Sequence, residues 1–281
     1  YGLLYCSLGA VVVGWVFLVA GRGHAEVGLR EGFGIVTFGW LFASVFGAVP
    51  FVVVGDMHWY DAFFETISGF TTTGASVLDD TLVIQGGETL DAGIADLPYG
   101  LIYWRSLTHW LGGMGIVVLS VAILPSLGIG SHQLYRAEVP GPTSDQLTPK
   151  IADSAKILWA VYVLLSLLET GLLMLGGMSL FEAWCHTCGT MATGGFSTEQ
   201  ASIGAYDSVY FDSVITIFMF LAGVNFILHF RALRGKLWAH FRDEEFVFYL
   251  CLAAGSILVV TVLLTGTDIQ TTAGSVRENA N

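Results

Sequence analysis

The chain has 281 residues, 54% of them hydrophobic and only 12% charged, with a mean hydropathy of +0.69. Soluble domains average about 25% charged residues, so the composition excludes a soluble domain and defines an integral membrane protein in a lipid bilayer. The net charge of −12 matters mainly through its distribution, and no nucleic-acid partner is expected.

The sequence opens on Tyr1 rather than Met, with no charged n-region before the first apolar run. A cut amino terminus is expected, and residues 1–20 read as a true span rather than a signal peptide. The first helix covers about Leu3 to Ala20 and ends in Gly21-Arg22-Gly23-His24. A second span runs from about Phe33 to Val54, with Pro50 near its outer end. Residues 59–69 are apolar at helical spacing (Trp59, Ala62, Phe63, Thr66, Ile67). They are far too short to cross about 30 Å of hydrocarbon. The spacing predicts a half-helix ending at Ser68-Gly69, its carbonyl end pointing into the membrane, where a helix C-terminus favours cations.

The stretch Glu65-Thr66-Ile67-Ser68-Gly69-Phe70-Thr71-Thr72-Thr73-Gly74-Ala75-Ser76 is too polar and glycine-rich to finish a membrane helix. Backbone at membrane depth must bond internally, or line water or protein. Its freed carbonyls are therefore candidates to replace the water shell of a permeating cation, with hydroxyls helping and glycine permitting the dihedrals. For one such segment alone, a glycine-kinked helix or a ligand-free re-entrant turn is the favoured reading.

A long loop from Leu78 to Pro98 has no strong pattern. The next span, about Leu101 to Leu124, carries Gly112-Gly113-Met114-Gly115, which allows close helix packing, and Pro125 ends it. Pro140, Pro142 and Pro149 make the cytoplasmic stretch 126–154 irregular. Then the unit repeats, with a span at 155–177, a half-helix at 179–190, a Thr/Gly segment at 191–197 and a span at about 208–230.

Aligning Ala62 with Ala183 gives an offset of 183 − 62 = 121 residues. It pairs Met57 with Met178, Thr66 with Thr187, Thr72 with Thr193, Gly74 with Gly195 and Ser76 with Ser197. The spans that follow match best as Leu111-Gly112-Gly113-Met114-Gly115 against Leu221-Ala222-Gly223-Val224-Asn225, an offset of 221 − 111 = 110. Internal repeats about a central site are how many transport folds are made. A third unit begins at Asp243-Glu244-Glu245, and its span 246–265 stops at Gly266. The organisation expected is a first span and connection over 1–30, a first repeat over 31–127, a cytoplasmic linker over 128–154, a second repeat over 155–235 and the start of a third over 236–281. A fragment of a longer transporter is expected.

Arg22, Arg30, Arg136, Lys150, Lys156, Arg231, Arg234, Lys236 and Arg242 fall in alternate connections, while the intervening ones carry Asp56, Asp61, Glu65, Asp79, Asp80, Glu88, Asp91, Asp96, Glu199 and Asp207. The positive-inside rule then puts the Thr/Gly segments on the outer side. An acidic vestibule there would concentrate cations, though acidic loops that merely aid solubility explain the same charges.

The fold class expected is an all-α polytopic membrane protein made of repeated span–half-helix–filter–span units around a central ion pore. With Thr71-Thr72-Thr73-Gly74-Ala75-Ser76 and Ala192-Thr193-Gly194-Gly195-Phe196-Ser197 in view, the chain resembles the Trk/Ktr/HKT family of potassium transporters, its TrkH-type subunits above all. Arg105-Ser106, Trp110 to Gly115, Asn225-Phe226 and His229 support the match. The resemblance implies four such units around one pore, potassium as the ion, a multi-pass subunit of the plasma membrane, a homodimer, and a cytosolic TrkA-type ring that binds nucleotides. It implies that Gly74 and Gly195 go with potassium preference. The filter expected is the backbone of Thr72, Thr73, Gly74, Thr193, Gly194 and Gly195, with K+ at Thr72, Thr73, Thr193 and Gly194. Thr71, Ala75, Phe196, Arg105 and Asn225 are expected to support it, with Arg105 anchoring through Glu65 or another outer carboxylate. A sodium- or ammonium-permeable relative is the alternative.

Other constellations compete less well. Cys185-His186-Thr187-Cys188 suggests a metal or redox pair, but no second pair accompanies it, and packing of the half-helix explains it better. His109 and His229 suggest axial haem ligands of an electron carrier, which would leave the Thr/Gly repeat unexplained. Glu169 in mid-span is expected to be hydrogen-bonded to a neighbouring helix, or else coupled to an ion. No nucleophile–base pair points to an enzyme, and no organic cofactor is expected.

Overall fold

The computed structural model describes residues 2–20, 29–87, 89, 93–123 and 151–278. Nearly all of the linker expected over 128–154 therefore lies outside the described residues, as do parts of the connections around 21–28 and 88–92. Among the described residues the structure is helical, apart from one isolated antiparallel bridge between Val83 and Thr89. The helices are α1 (Gly2–Ala20), α2 (Leu29–Val54), α3 (Trp59–Phe70), α4 (Tyr99–Ile123), α5 (Ile151–Leu175), α6 (Leu180–Met191), α7 (Val209–Ala222), α8 (Phe226–Leu233) and α9 (Glu244–Glu278). Short 3-10 turns cover Gly93–Asp96, Ser202–Tyr206 and Leu237–Arg242. Three of the described helices hold a stretch long and apolar enough to cross a membrane, at Val36–Val54, Lys156–Leu175 and Glu244–Leu263.

The chain forms two compact units, Tyr1–Gly223 and Val224–Asn281. In the first, α2 packs on α3 and α3 on α4, while α5 packs on α6 and α6 on both α4 and α7. Both half-helices, α3 and α6, thus lie against α4. The Gly112-Gly113 pair makes this possible. A Cβ at 112 would meet the Phe70 carbonyl at the end of α3, and one at 113 would meet Ala192 Cα at 2.8 Å, just past the end of α6.

The half-helices themselves coincide under the sequence offset, since 180 − 59 and 191 − 70 are both 121. They start differently. Ser179 and Glu182 close a capping box at the head of α6, whereas His58 makes no side-chain cap on α3. Ahead of α3 a cluster of Ala48, Phe51, Met57, Ala62, Leu78, Ile94, Leu97, Leu101 and Ile102 folds the long loop back onto α2 and α4. Gln85 fastens that loop, with its amide N–H donating to the Asp56 carbonyl at 2.8 Å and its Nε2 to the Met57 carbonyl at 2.7 Å.

Two spans differ from expectation. The helix expected over 208–230 ends at Ala222, capped by Gly223, and α8 begins afresh at Phe226. Asn225 causes the restart, because its side-chain oxygen accepts from the Ile227 amide at 3.1 Å, and asparagine is a strong helix N-cap. The last helix runs through Gly266 to Glu278 rather than stopping. A glycine inside a helix costs only about 1 kcal/mol and does not by itself end it. In the second unit, the turn at Leu237–Arg242 packs against both α8 and α9.

Candidate ion-binding site

Each half-helix ends in the same hydrogen-bonded reversal. After α3, the Thr71 amide donates to the Ile67 carbonyl at 2.9 Å, Thr72 to Gly69 at 3.0 Å and Thr73 to Ser68 at 2.9 Å. After α6, Ala192 donates to Cys188 at 3.3 Å, Thr193 to Thr190 at 2.9 Å and Gly194 to Gly189 at 3.0 Å. These are Schellman ends, which need a left-handed residue at the first position past the cap. Thr72 and Thr193 take it, at φ 54° and 58°. Threonine is β-branched and resists this region, at a cost of about 1–3 kcal/mol that clusters at functional sites. Two residues on, Gly74 and Gly195 are left-handed again, at φ 78° and 86°. Asp56 and Gly177, also left-handed and at the same spacing, precede the two half-helices.

Alternating handedness turns the chain sharply away from each helix. It leaves a short non-helical segment, here called a strand of the site, hanging from a carbonyl-rich helix end, which carries about half a negative charge. The strands meet, since a Cβ on Gly74 would run into the Gly194 carbonyl. Thr71, Thr73, Thr193 and Gly195 are exposed, while Thr72, Gly74 and Gly194 are half-buried.

Arg105 of α4 braces both strands. Its Nε lies 2.6 Å from Glu65 Oε1, Nη1 donates to the Ser197 carbonyl at 2.9 Å, and Nη2 to Ser76 Oγ at 3.1 Å. Its guanidinium sits 3.6 Å from the centroid of the Phe196 ring, and the His109 ring lies 3.8 Å from the same centroid. His109 also turns its Nε2 edge to Gly194, where any side chain would collide with it. Glu65 further accepts from Ser76 Oγ at 3.0 Å and from the Val77 amide at 3.1 Å.

The offset carries Glu65 onto His186, whose Nε2 bonds the Tyr206 hydroxyl at 3.0 Å and lies 3.3 Å from Thr198 Oγ1. A carboxylate thus ties down the first strand and an imidazole the second. A similar exchange occurs one turn on. Ser68 Oγ donates to the Ala75 carbonyl at 2.5 Å, whereas Gly189 lets the equivalent Phe196 carbonyl lie directly against the helix. Sequence reasoning missed the left-handed threonines, the Glu65–His186 equivalence and His109. The offset already paired the first two sets of residues, but nothing in the sequence placed His109 behind the second strand.

Of the other singled-out residues, Thr71 Oγ1 donates to the Ile67 carbonyl at 2.7 Å and meets Thr73 Oγ1 at 2.8 Å. Asn225 lies in the second unit, where it caps α8, and so does His229, beside Phe226 and His240. Cys185 and Cys188 are buried free thiols, and no group of three His, Cys, Asp or Glu that could hold a metal occurs among the described residues. On the loops that follow the two half-helices, hydrogen bonds from Thr81 hold the Asp79 carboxyl below the usual carboxylate range, and burial pushes the Tyr206 hydroxyl up.

Paired short helices with matched left-handed ends, seated on one glycine-bearing helix among long apolar helices, define a polytopic α-helical membrane protein. The chain belongs to the TrkH family of cation transport proteins, whose family model matches residues 12–266. It is 41% identical over 247 residues to the Trk system potassium uptake protein TrkH of Salmonella typhimurium, covering 86% of this chain and 48% of that protein. To the protein of the same name from Halomonas elongata it is 40% identical over 275 residues, covering 95% and 54%. The crystal structure of the potassium transporter TrkH from Vibrio parahaemolyticus superposes with a TM-score of 0.74 at 34% identity, over 94% of this chain and 54% of that one. The chain spans about half the length of the curated relatives it matches.

Proposed function

We propose that this chain contributes two filter strands to a potassium uptake protein, a multi-pass subunit of the plasma membrane. Potassium is both the transported ion and the bound one. Carbonyls of Thr72, Thr73 and Gly74 and of Thr193, Gly194 and Gly195 would replace water around it. A cavity lined by carbonyl dipoles selects by size, ligand number and field strength. The observation that carries this reading is the shared reversal, with left-handed Thr72 and Thr193 and left-handed Gly74 and Gly195 at one offset. Strain maintained at the same two places in two repeats is hard to explain by packing alone. The names of the relatives supply the ion.

The repeat boundaries 31–127 and 155–235 belong to the same proposal. So do a homodimer and a cytosolic TrkA-type regulatory ring, which rest on the resemblance. Uptake of rubidium by cells lacking their own potassium transport tests the function. Cells carrying the intact transporter should accumulate rubidium from micromolar medium and grow at low potassium. Correctly inserted protein with no uptake above background would refute it.

A further inference from the structure

One side of α4 follows the second strand along its length. Arg105, His109 and Gly113 stand four residues apart and so share a face of the helix. Arg105 Nη1 donates to the Ser197 carbonyl, and the missing side chain of Gly113 makes room for Ala192. Between them lies His109, fully buried. Its ring centroid is 3.8 Å from that of Phe196, at an interplanar angle of 42°. The three heavy atoms nearest to where a Cβ on Gly194 would stand are its Nε2, Cδ2 and Cε1, the last two at 2.7 Å. Neither ring nitrogen has a hydrogen-bond partner among the described residues. Burying a polar ring without a partner costs stability. On the second strand, then, His109 acts by its shape.

The second strand departs from the first at both places the imidazole touches. The offset of 121 carries Thr73 onto Gly194 and Ala75 onto Phe196. The first strand thus has a side chain where the second has none, and a methyl where the second has a ring. Backbone conformation does not demand this glycine. Gly74 and Gly195 are left-handed, but Gly194 is not, and alanine suits such a backbone. What fills the space beside Gly194 is His109. Nor does the repeat supply the imidazole, since the offset of 110 between the spans carries His109 onto Met219, exposed on α7. Gly194, Phe196 and His109 form one fitted set, with the imidazole standing in for the side chain the strand lacks.

We propose that His109 is a positioning residue for ion selectivity: its imidazole, wedged against the Phe196 ring and the Gly194 backbone, sets how far the second strand stands from the first. The Gly194 carbonyl is the group in play, because it lies against Gly74 of the first strand. A carbonyl-lined site selects by size, ligand number and field, and a strand free to fall back towards α4 would alter the first and the last. The proposal rests on reading the two strands as an ion site.

The test is the ratio of potassium to sodium uptake by cells carrying the intact transporter, normalised to inserted protein. It is measured for wild type, His109→Ala, Gly194→Ala and the double variant. His109→Ala should lower the ratio by roughly tenfold, through a displaced ligand, with total uptake per inserted protein retained. Gly194→Ala, pressed against the ring, should lower it as well. In the double variant the new methyl enters the space the ring has left. Its ratio should exceed the product of the two single losses by at least about 2-fold, the lower end of coupling between residues in contact. Where His109→Ala does not accumulate, His109→Asn takes its place; if neither inserts, His109 is a folding residue and the proposal falls. An unchanged ratio in His109→Ala with transport intact overturns it, and so do strictly multiplicative losses. In these cases wild type still discriminates, so the potassium reading stands. Wild-type protein with no preference for potassium refutes that reading itself, and this proposal with it.

Discussion

Arg105 Nε lies 2.6 Å from Glu65 Oε1, with the two side chains only 2% and 0% exposed. The same guanidinium reaches the Ser197 carbonyl, so one arginine joins the first half-helix to the strand of the second repeat. Removing one partner of a buried pair leaves an uncompensated charge and costs about 3–5 kcal/mol. Arg105→Gln should therefore lower the melting temperature and the amount of inserted protein sharply. Glu65→Gln added to it should recover part of the loss, because the orphaned carboxylate is gone. Thermal melts of the four proteins in detergent give the coupling. Equal destabilisation of single and double variants would mean the pair is not what holds the strands.

Gly69 abuts Thr108 of α4, and a Cβ there would collide with the Thr108 hydroxyl. Gly69→Ala should reduce folded protein by forcing α3 away from α4, an overpacking cost of about 1–3 kcal/mol. Thr108→Ala removes the atom struck, so the double variant should accumulate better than Gly69→Ala. The readout is monodisperse protein on a sizing column. No recovery in the double variant would show that the glycine is required for another reason.

Orientation can be tested with single cysteines. Gly86 lies in the exposed part of the long loop, with nothing within 4 Å of its Cβ position, and Lys236 is exposed after α8. In a Cys251→Ser background, which removes the exposed native thiol, Gly86→Cys should react with an impermeant maleimide from outside. Lys236→Cys should react only after permeabilisation. The reverse pattern would invert the topology and take away the acidic vestibule.

Much of the architecture was legible because periodicity and the repeat offset report backbone geometry directly. The half-helix at 59–69 and its partner at 179–190 appear as Trp59–Phe70 and Leu180–Met191. A run too short to span, followed by Thr and Gly, leaves little choice. Arg105 and Glu65 were also readable, as opposite charges too costly to bury apart. The break at Gly223 was not, since an apolar run conceals a cap until the Asn225 side chain is seen to close on Ile227. Nor was His109 behind Gly194, because a contact between distant segments leaves no periodic trace. Glu169 was legible as an anomaly, but its complete burial is a property of three-dimensional packing.

Gly74 has φ 78° and lies against the Gly194 carbonyl, while Gly195 has φ 86° with nothing among the described residues within 4 Å of its Cβ position. Any L-residue at either site bears the left-handed backbone penalty, about 1–2 kcal/mol. At Gly74 the added side chain would also displace a carbonyl proposed to face the ion. Serine brings a hydroxyl that can replace that ligand or narrow the site. Ligand number and field set the preference between potassium and sodium, so Gly74→Ser should relax it by about tenfold, equivalent to roughly 1.4 kcal/mol of discrimination. Gly69→Ser lies outside the strand and should change protein amount without changing the preference of what remains. The measurement is the ratio of potassium to sodium uptake, normalised to inserted protein, for wild type and both variants. If Gly74→Ser transports normally at an unchanged ratio, Gly74 is no part of the filter, and the matched reversals are architecture without an ion site.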